Sequence, residues 1–129
     1  MKFKASAISA LIEDGVAILG FADDQFNPTC YLMLSRTLEP SRQDLTQGLD
    51  KPHLEVNSQK NSYYGGLREA RLSRSRLMVM LEEEAATKMS IDKEIEVDFT
   101  LKDEKLREVS QQLRLVLGDD SIHVEIDNS

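Results

Sequence analysis

With a single cysteine, Cys30, in 129 residues, the chain can hold no internal disulfide and no cluster of thiolates, which removes zinc ribbons and redox pairs from consideration. Cys30 lies in an apolar run, where a buried and inert thiol is the expected state. No hydrophobic run approaches the roughly eighteen residues of a membrane span. The N-terminus meets Glu13 and Asp14 where a signal peptide would place its cleavage region, so a cytoplasmic location is expected. Catalytic signatures are missing as well. The chain has no Gly-x-Ser-x-Gly elbow, no Gly-x-x-x-x-Gly-Lys-Ser/Thr phosphate loop and no Gly-x-Gly-x-x-Gly dinucleotide motif. Gly65-Gly66 is not followed directly by a helical pattern, so it lacks the anion site of a helix N-terminus. No internal repeat is present.

What remains is an ordinary globular composition, 40% hydrophobic and 30% charged, of a length that fits one domain over residues 1–129. Its net charge of -7 is unevenly placed. Residues 1 to 81 hold nine acids and ten bases, whereas residues 82 to 129 hold fourteen acids and six bases. An acidic surface repels nucleic acid and membranes of like charge, and it speeds encounter with a basic protein. Solubility alone would also account for it.

Hydrophobic patterning predicts an α+β fold with a mostly antiparallel sheet backed by a C-terminal helix, and one further short helix. Phe3 to Leu11 and Val16 to Phe21 read as two strands around a tight Asp14-Gly15 turn. Tyr31 to Leu34 is apolar at consecutive positions, which places it in the middle of the sheet with both faces covered. Leu38 to Pro52 has no sustained period and reads as a long loop in which Asp44 to Leu49 could form one helical turn. Strand character resumes at His53 to Val56. Leu67 to Ser73 and Leu77 to Leu81 pair around Arg74-Ser75, Glu82 to Met89 suits the short helix, and Ile95 to Phe99 alternates as a half-buried strand. Thr100 is positioned to cap the last helix, with Asp103 three residues on. Leu106, Val109, Leu113 and Val116 form its apolar stripe, and Gly118 its stop. Residues 119 to 129 are a flexible tail or an edge strand.

Candidate chemistry is sparse. His53 with Glu55, or His123 with Glu125, lie at strand spacing on one face, but two ligands do not make a metal site, and no metal or other cofactor is expected. Asp23-Asp24 reads as a solvated turn rather than an acid–base pair. Arg68, Arg71, Arg74 and Arg76, near Tyr63 and Tyr64, form the one basic patch that nucleic acid could use. Glu69 sits among them, and Glu96 and Asp98 could face them from a neighbouring strand, so ion pairing across the sheet explains them better. The stretch Val56 to Gly66 offers amides, hydroxyls, two tyrosines and two glycines, which suits either a hairpin turn or a polar rim that meets another protein.

A set of short words, in order, carries a resemblance: Gly20-Phe21-Ala22-Asp23, Tyr31-Leu32-Met33-Leu34-x-Arg36, Gln43-Asp44, Gly48-Leu49-Asp50, Glu55-Val56-Asn57-x-Gln59 and Tyr64-Gly65-Gly66. Together, over roughly residues 15 to 117, they resemble the bacterial family immunity protein ten. The resemblance implies a non-enzymatic protein of a polymorphic toxin system that binds and neutralises a cognate toxin. Two departures add positive charge: Arg42 stands where the family has an acid before Gln43-Asp44, and Lys60 to Tyr63 replaces a smaller, serine-rich segment. The expected toxin-binding residues are Glu39, Asp44, Asp50, Glu55, Asn57, Gln59 and Tyr64, with Tyr64 as an aromatic anchor and the acids pairing with basic groups on the toxin. Two other classes stay open: a small-ligand-binding domain or small enzyme with a pocket lined by Tyr, Asn and Gln, and a self-associating structural protein.

Overall fold

The computed structural model describes residues 1–118 and the backbone of 122–124. The elements in chain order are β1 (Lys2–Lys4), β2 (Ala7–Glu13), β3 (Val16–Ala22), β4 (Tyr31–Thr37), α1 (Arg42–Gln47), β5 (His53–Val56), β6 (Ser62–Tyr64), β7 (Leu67–Leu72), β8 (Arg76–Leu81), α2 (Glu83–Met89), β9 (Glu94–Asp98), α3 (Asp103–Leu117) and β10 (Ile122–Val124). Among the described residues the strands form two five-stranded sheets, β1-β9-β8-β7-β10 and β2-β3-β4-β5-β6. All pairings in the second sheet are antiparallel, while β1 on β9 and β10 on β7 are parallel. The fold is α+β with mostly antiparallel strands, a C-terminal helix and short helices beside it.

One sheet was expected and two are found, because the strand read over Phe3 to Leu11 is divided. Ala5 donates its N–H to Asp98 O at 2.8 Å in the first sheet, and the next residue, Ser6, donates to Ala22 O at 2.9 Å in the second. The chain returns at Gly65-Gly66, where Gly65 N–H reaches Pro52 O at 2.8 Å and Gly66 O accepts from Glu82 N–H at 2.7 Å. Each sheet buries one face. Alternate residues Ala17, Leu19 and Phe21 of β3, Leu32 and Leu34 of β4, and Leu54 and Val56 of β5 join Leu77 and Val79 of β8 and Ile95 and Val97 of β9 in one hydrophobic core. Phe21 stacks on Phe99 across it, with centroids 5.9 Å apart.

The helices follow their expected stripes. In α3, Leu106, Val109, Leu113 and Val116 are buried on the core side of the second sheet, and Gly118 ends the helix at φ 83°. The cap differs from expectation: the N-cap is Lys102, without a side-chain bond, rather than Thr100. Phe99 and Leu101 are both buried, and their N–H groups bond to Ser75 O and Arg74 O, so the extended backbone runs on past Thr100 before the helix can begin. Gln112 is the buried polar residue of the stripe; its Nε2 donates to Leu11 O at 2.7 Å and Ile18 O at 3.0 Å. Gln112→Leu keeps the volume but deletes both bonds, so it should cost about 1–2 kcal/mol, at roughly 1 per net hydrogen bond. A lower urea midpoint at unchanged slope would show it.

The loop expected over Leu38 to Pro52 contains α1. Ser41 Oγ accepts from Asp44 N–H at 3.0 Å, the Asp44 carboxylate accepts from Ser41 N–H at 2.9 Å, and Gly48 closes the helix at φ 74°. β10 supplies the edge strand read in the tail over residues 122–124; the remainder of that tail, including Glu125, and the side chain of His123 lie outside the described residues.

Candidate functional site: the open face of the second sheet

Because side chains alternate along a strand, the second sheet presents a second face, opposite α3 and the first sheet. The registers set Ser9 beside Gly20, Gly20 beside Met33, Met33 beside Glu55, and Glu55 beside Ser62; one row along, Leu11, Ile18, Ser35, His53 and Tyr64 line up in the same way. β4 is the central strand, as its apolar run predicts, but Tyr31 and Met33 are only half-buried, because α3 packs on the opposite side of the sheet. The face is concave at one end. A depression of about 700 Å³ opens over Ala7, Ser9, Gly20 and Ala22, walled by Tyr31, Met33 and Glu55. Asp24, Gln25 and Pro28 rim it from the loop after β3, and Gln59 from the turn after β5.

Tyr31 and Glu55 form the polar centre of this face. Tyr31 Oη donates to Glu55 Oε2 at 2.5 Å, and burial, reinforced by the adjacent carboxylate, pushes the phenol up to about 12. The phenol is therefore a fixed donor at neutral pH. Since the folded value lies above the ordinary one of 10.0, the stabilisation is fully present below pH 10 and is lost as pH rises towards 12. Comparing denaturation of wild type and Tyr31→Phe at pH 9 and pH 12 should show a smaller alkaline loss in the variant. His53, next along β5, packs against Tyr64 in a tilted ring contact, with centroids 4.5 Å apart and planes at 49°. Burial holds its imidazole below the ordinary value, with Glu55 pulling the other way, so it is neutral at pH 7.

The expected binding residues are not gathered in one spot. Glu55 and Tyr64 lie on the open face, with Tyr64 45% exposed. Glu39, Asp44 and Asp50 lie beyond the Thr37 end of β4, where Arg36 Nε donates to Asp50 O at 3.2 Å. Asn57 and Gln59 lie at the Tyr31 end, roughly 20 Å away at about 3.3 Å per strand residue. Several of them also hold the fold. Asp44 belongs to the capping box of α1, and Asn57, at φ 62°, completes the β4–β5 ladder: its N–H donates to Tyr31 O at 3.1 Å and its Oδ1 accepts from Tyr31 N–H at 2.7 Å.

The turn at Asp23-Asp24 is built rather than simply solvated. Asp24 Oδ1 accepts from Phe26 N–H at 2.8 Å and Asn27 N–H at 3.1 Å, while the Asp23 carboxylate takes both the N–H and the hydroxyl of Thr29. The Thr29 bonds hold Asp23 below the usual carboxylate range. On this braced loop Phe26 is 88% exposed, the most exposed of the large hydrophobic side chains among the described residues. Sequence reasoning passed over it; an aromatic between Asp-Asp and Asn-Pro, in a segment with no apolar period, was the available signal.

The arginines pair largely as the sequence reading anticipates. Arg76 Nε lies 3.4 Å from Glu96 and 3.3 Å from Asp98, Lys2 joins Glu96 from the other side at 3.0 Å, Arg71 meets Glu69 at 2.9 Å, and Arg74 pairs with Asp103. Among the described residues most acids of the last third lie on α2, β9 and α3, while Glu55 is the central carboxylate of the open face. His53 and Glu55 do share a face, but among the described residues no group of three or more His, Cys, Asp or Glu side chains could hold a metal ion.

Comparison with known proteins gives a matching assignment. A search of curated proteins finds no significant match. The family model described as Immunity protein 10 matches residues 4–107, which span the whole second sheet, the return through Gly65-Gly66 and the start of α3. The chain therefore belongs to the immunity protein 10 family.

Proposed function

We propose that this protein binds a cognate bacterial toxin and neutralises it by occlusion, in the cytoplasm of the producing cell, without itself making or breaking bonds. The contact surface is the open face of the second sheet with its two ends: Phe26 and Gln59 at one, Glu55 and Tyr64 on the face, Glu39, Asp44 and Asp50 at the other. The observation that carries this reading is Phe26, an aromatic 88% exposed on a loop braced by two aspartates, beside a half-buried sheet face whose aromatics are already oriented. Rigid aromatic surface of this kind binds without a large ordering cost. The net charge of -7 favours a basic toxin surface and faster encounter at low salt.

Co-expression with the toxin encoded beside it tests the proposal. Protection of the cell and recovery of a stoichiometric complex are expected. If Glu39→Ala, Asp50→Ala and Tyr64→Ala each protect as well as wild type, the assigned surface is wrong. Failure to capture the toxin, or turnover of a substrate by the purified chain, rejects the function itself. The depression beside Tyr31 and Glu55 is what a small-ligand reading would need; binding confined to it, lost in Gly20→Leu while toxin is ignored, would favour that reading.

A further inference from the structure

Among the described residues the two sheets end in four outer strands, and three of these are short. β1, β6 and β10 span three residues each, and β1 carries Lys2 and Lys4. Brevity and charge are the usual means by which an edge is kept from pairing with another chain. β2 has neither. It runs seven residues, Ala7–Glu13, with no proline, no register shift against β3 and no charge before Glu13. The Asp14-Gly15 turn, with both residues at positive φ, makes Glu13 and Val16 a hydrogen-bonded pair. Leu11 and Ser9 therefore also direct their N–H and C=O to β3, and Ile8, Ala10 and Ile12 turn theirs outwards. Among the described residues no strand meets that edge, and Leu11 and Ile12 beside it are 41% and 56% exposed.

We propose that β2 pairs antiparallel with β2 of a second copy of this chain, joining the two second sheets into one continuous sheet. Isoleucine stands two residues to either side of Ala10, at Ile8 and Ile12, so a two-fold pairing centred there sets apolar against apolar at each position with open backbone groups, which favours a second copy over a foreign strand. A two-fold axis at Ala10 sets Ala10 against Ala10 and Ile8 against Ile12 of the second copy, and these are the residues with open backbone groups. On the core side each Ile12 gains the cover of an Ile8, and on the open face each Leu11 falls beside a Ser9. Glu13 falls opposite Ala7, so the two Glu13 carboxylates stay at opposite ends of the paired strands. Ala7 and Ser9 also line the depression, so the second copy closes the side that β2 leaves open. The inference rests on this edge alone and stands or falls separately from toxin binding.

Sedimentation of the purified chain over a concentration series, at low and high salt, tests it. Twice the chain mass is expected. Association should strengthen with salt, because two copies of net charge -7 repel, the reverse of a contact steered by opposite charges. Ala10→Pro removes an N–H that the single chain does not use and blocks the pairing at its centre; Ile12→Lys places a charge on the edge without touching the backbone. Each should raise the dimer dissociation constant by about tenfold or more, with the circular dichroism spectrum retained. A single-chain mass throughout, or a dimer that survives both substitutions, overturns the proposal. So does a monomer whose toxin capture is lost in Ile12→Lys, since the edge would then accept a strand of the toxin.

Discussion

Gly66→Ala is expected to remove about 2–5 kcal/mol of stability, a large share of the roughly 5–15 that a domain of this kind possesses. Two independent penalties coincide at this position. Gly66 has φ 74°, where a side chain costs about 1–2 kcal/mol. An added Cβ would stand 2.5 Å from the Cβ of Ala85 in α2 and 3.2 Å from two ring carbons of Tyr63, and overpacking adds about 1–3 kcal/mol. Neither neighbour can give way. Ala85 is buried in α2, and Tyr63 faces the core with the Lys88 ammonium 5.8 Å from its ring centre. Gly48→Ala separates the two penalties, because Gly48 shares the same φ of 74° but a Cβ there meets nothing within 4 Å. It should cost only about 1–2 kcal/mol. Urea denaturation of both variants beside wild type measures the difference, and equal losses would show that the contact with α2 is not what requires glycine at 66.

That result would also answer what the polar stretch Val56 to Gly66 is for. Its two glycines are the passage from one sheet to the other, and Tyr-Gly-Gly was legible as a family word before its mechanical reason was. Other features could be read directly from residues: the Asp14-Gly15 turn, the alternation of β9 and the stripe Leu106, Val109, Leu113, Val116 each follow from local chemistry that tertiary contacts reinforce. The earlier passage between sheets, at Ala5-Ser6, could not. Apolar alternation runs unbroken through Phe3, Ala5 and Ala7, and no glycine or proline marks the point, because the change is made by which sheet each N–H reaches and not by a special dihedral. α1 was half hidden for a similar reason: Ser41 and Asp44 form its capping box, yet six residues are too few to show a period. Of the candidate site, Tyr64 and Glu55 were legible; Tyr31 was not, since the apolar run Tyr31 to Leu34 reads as a strand covered on both faces. Its bracing was not, since the hydrogen bonds of Asp24 and Asn57 to backbone groups depend on loop paths that spacing does not reveal.

Phe26→Ala should weaken toxin binding by about 2 kcal/mol or more, roughly thirtyfold in affinity, while leaving the denaturation midpoint unchanged. The separation follows from exposure: a ring that is 88% exposed buries almost nothing in the free chain, so its removal costs the fold nothing and the complex a fully covered aromatic. Tyr64→Ala should behave differently. Its ring packs at a tilt against His53, so a similar loss of affinity comes with about 0.5–1.5 kcal/mol of stability. Asp24→Ala tests whether rigidity matters. It frees the N–H groups of Phe26 and Asn27, so the loop must be ordered on binding, at about 0.5–1.5 kcal/mol per immobilised side chain. Surface-plasmon measurements distinguish the roles, since losing a covered aromatic accelerates dissociation, whereas Glu39→Ala and Asp50→Ala at the far end should slow association and flatten its salt dependence. A Phe26→Ala protein with wild-type dissociation would place the toxin away from the braced loop and leave the Glu39, Asp44 and Asp50 end as the contact.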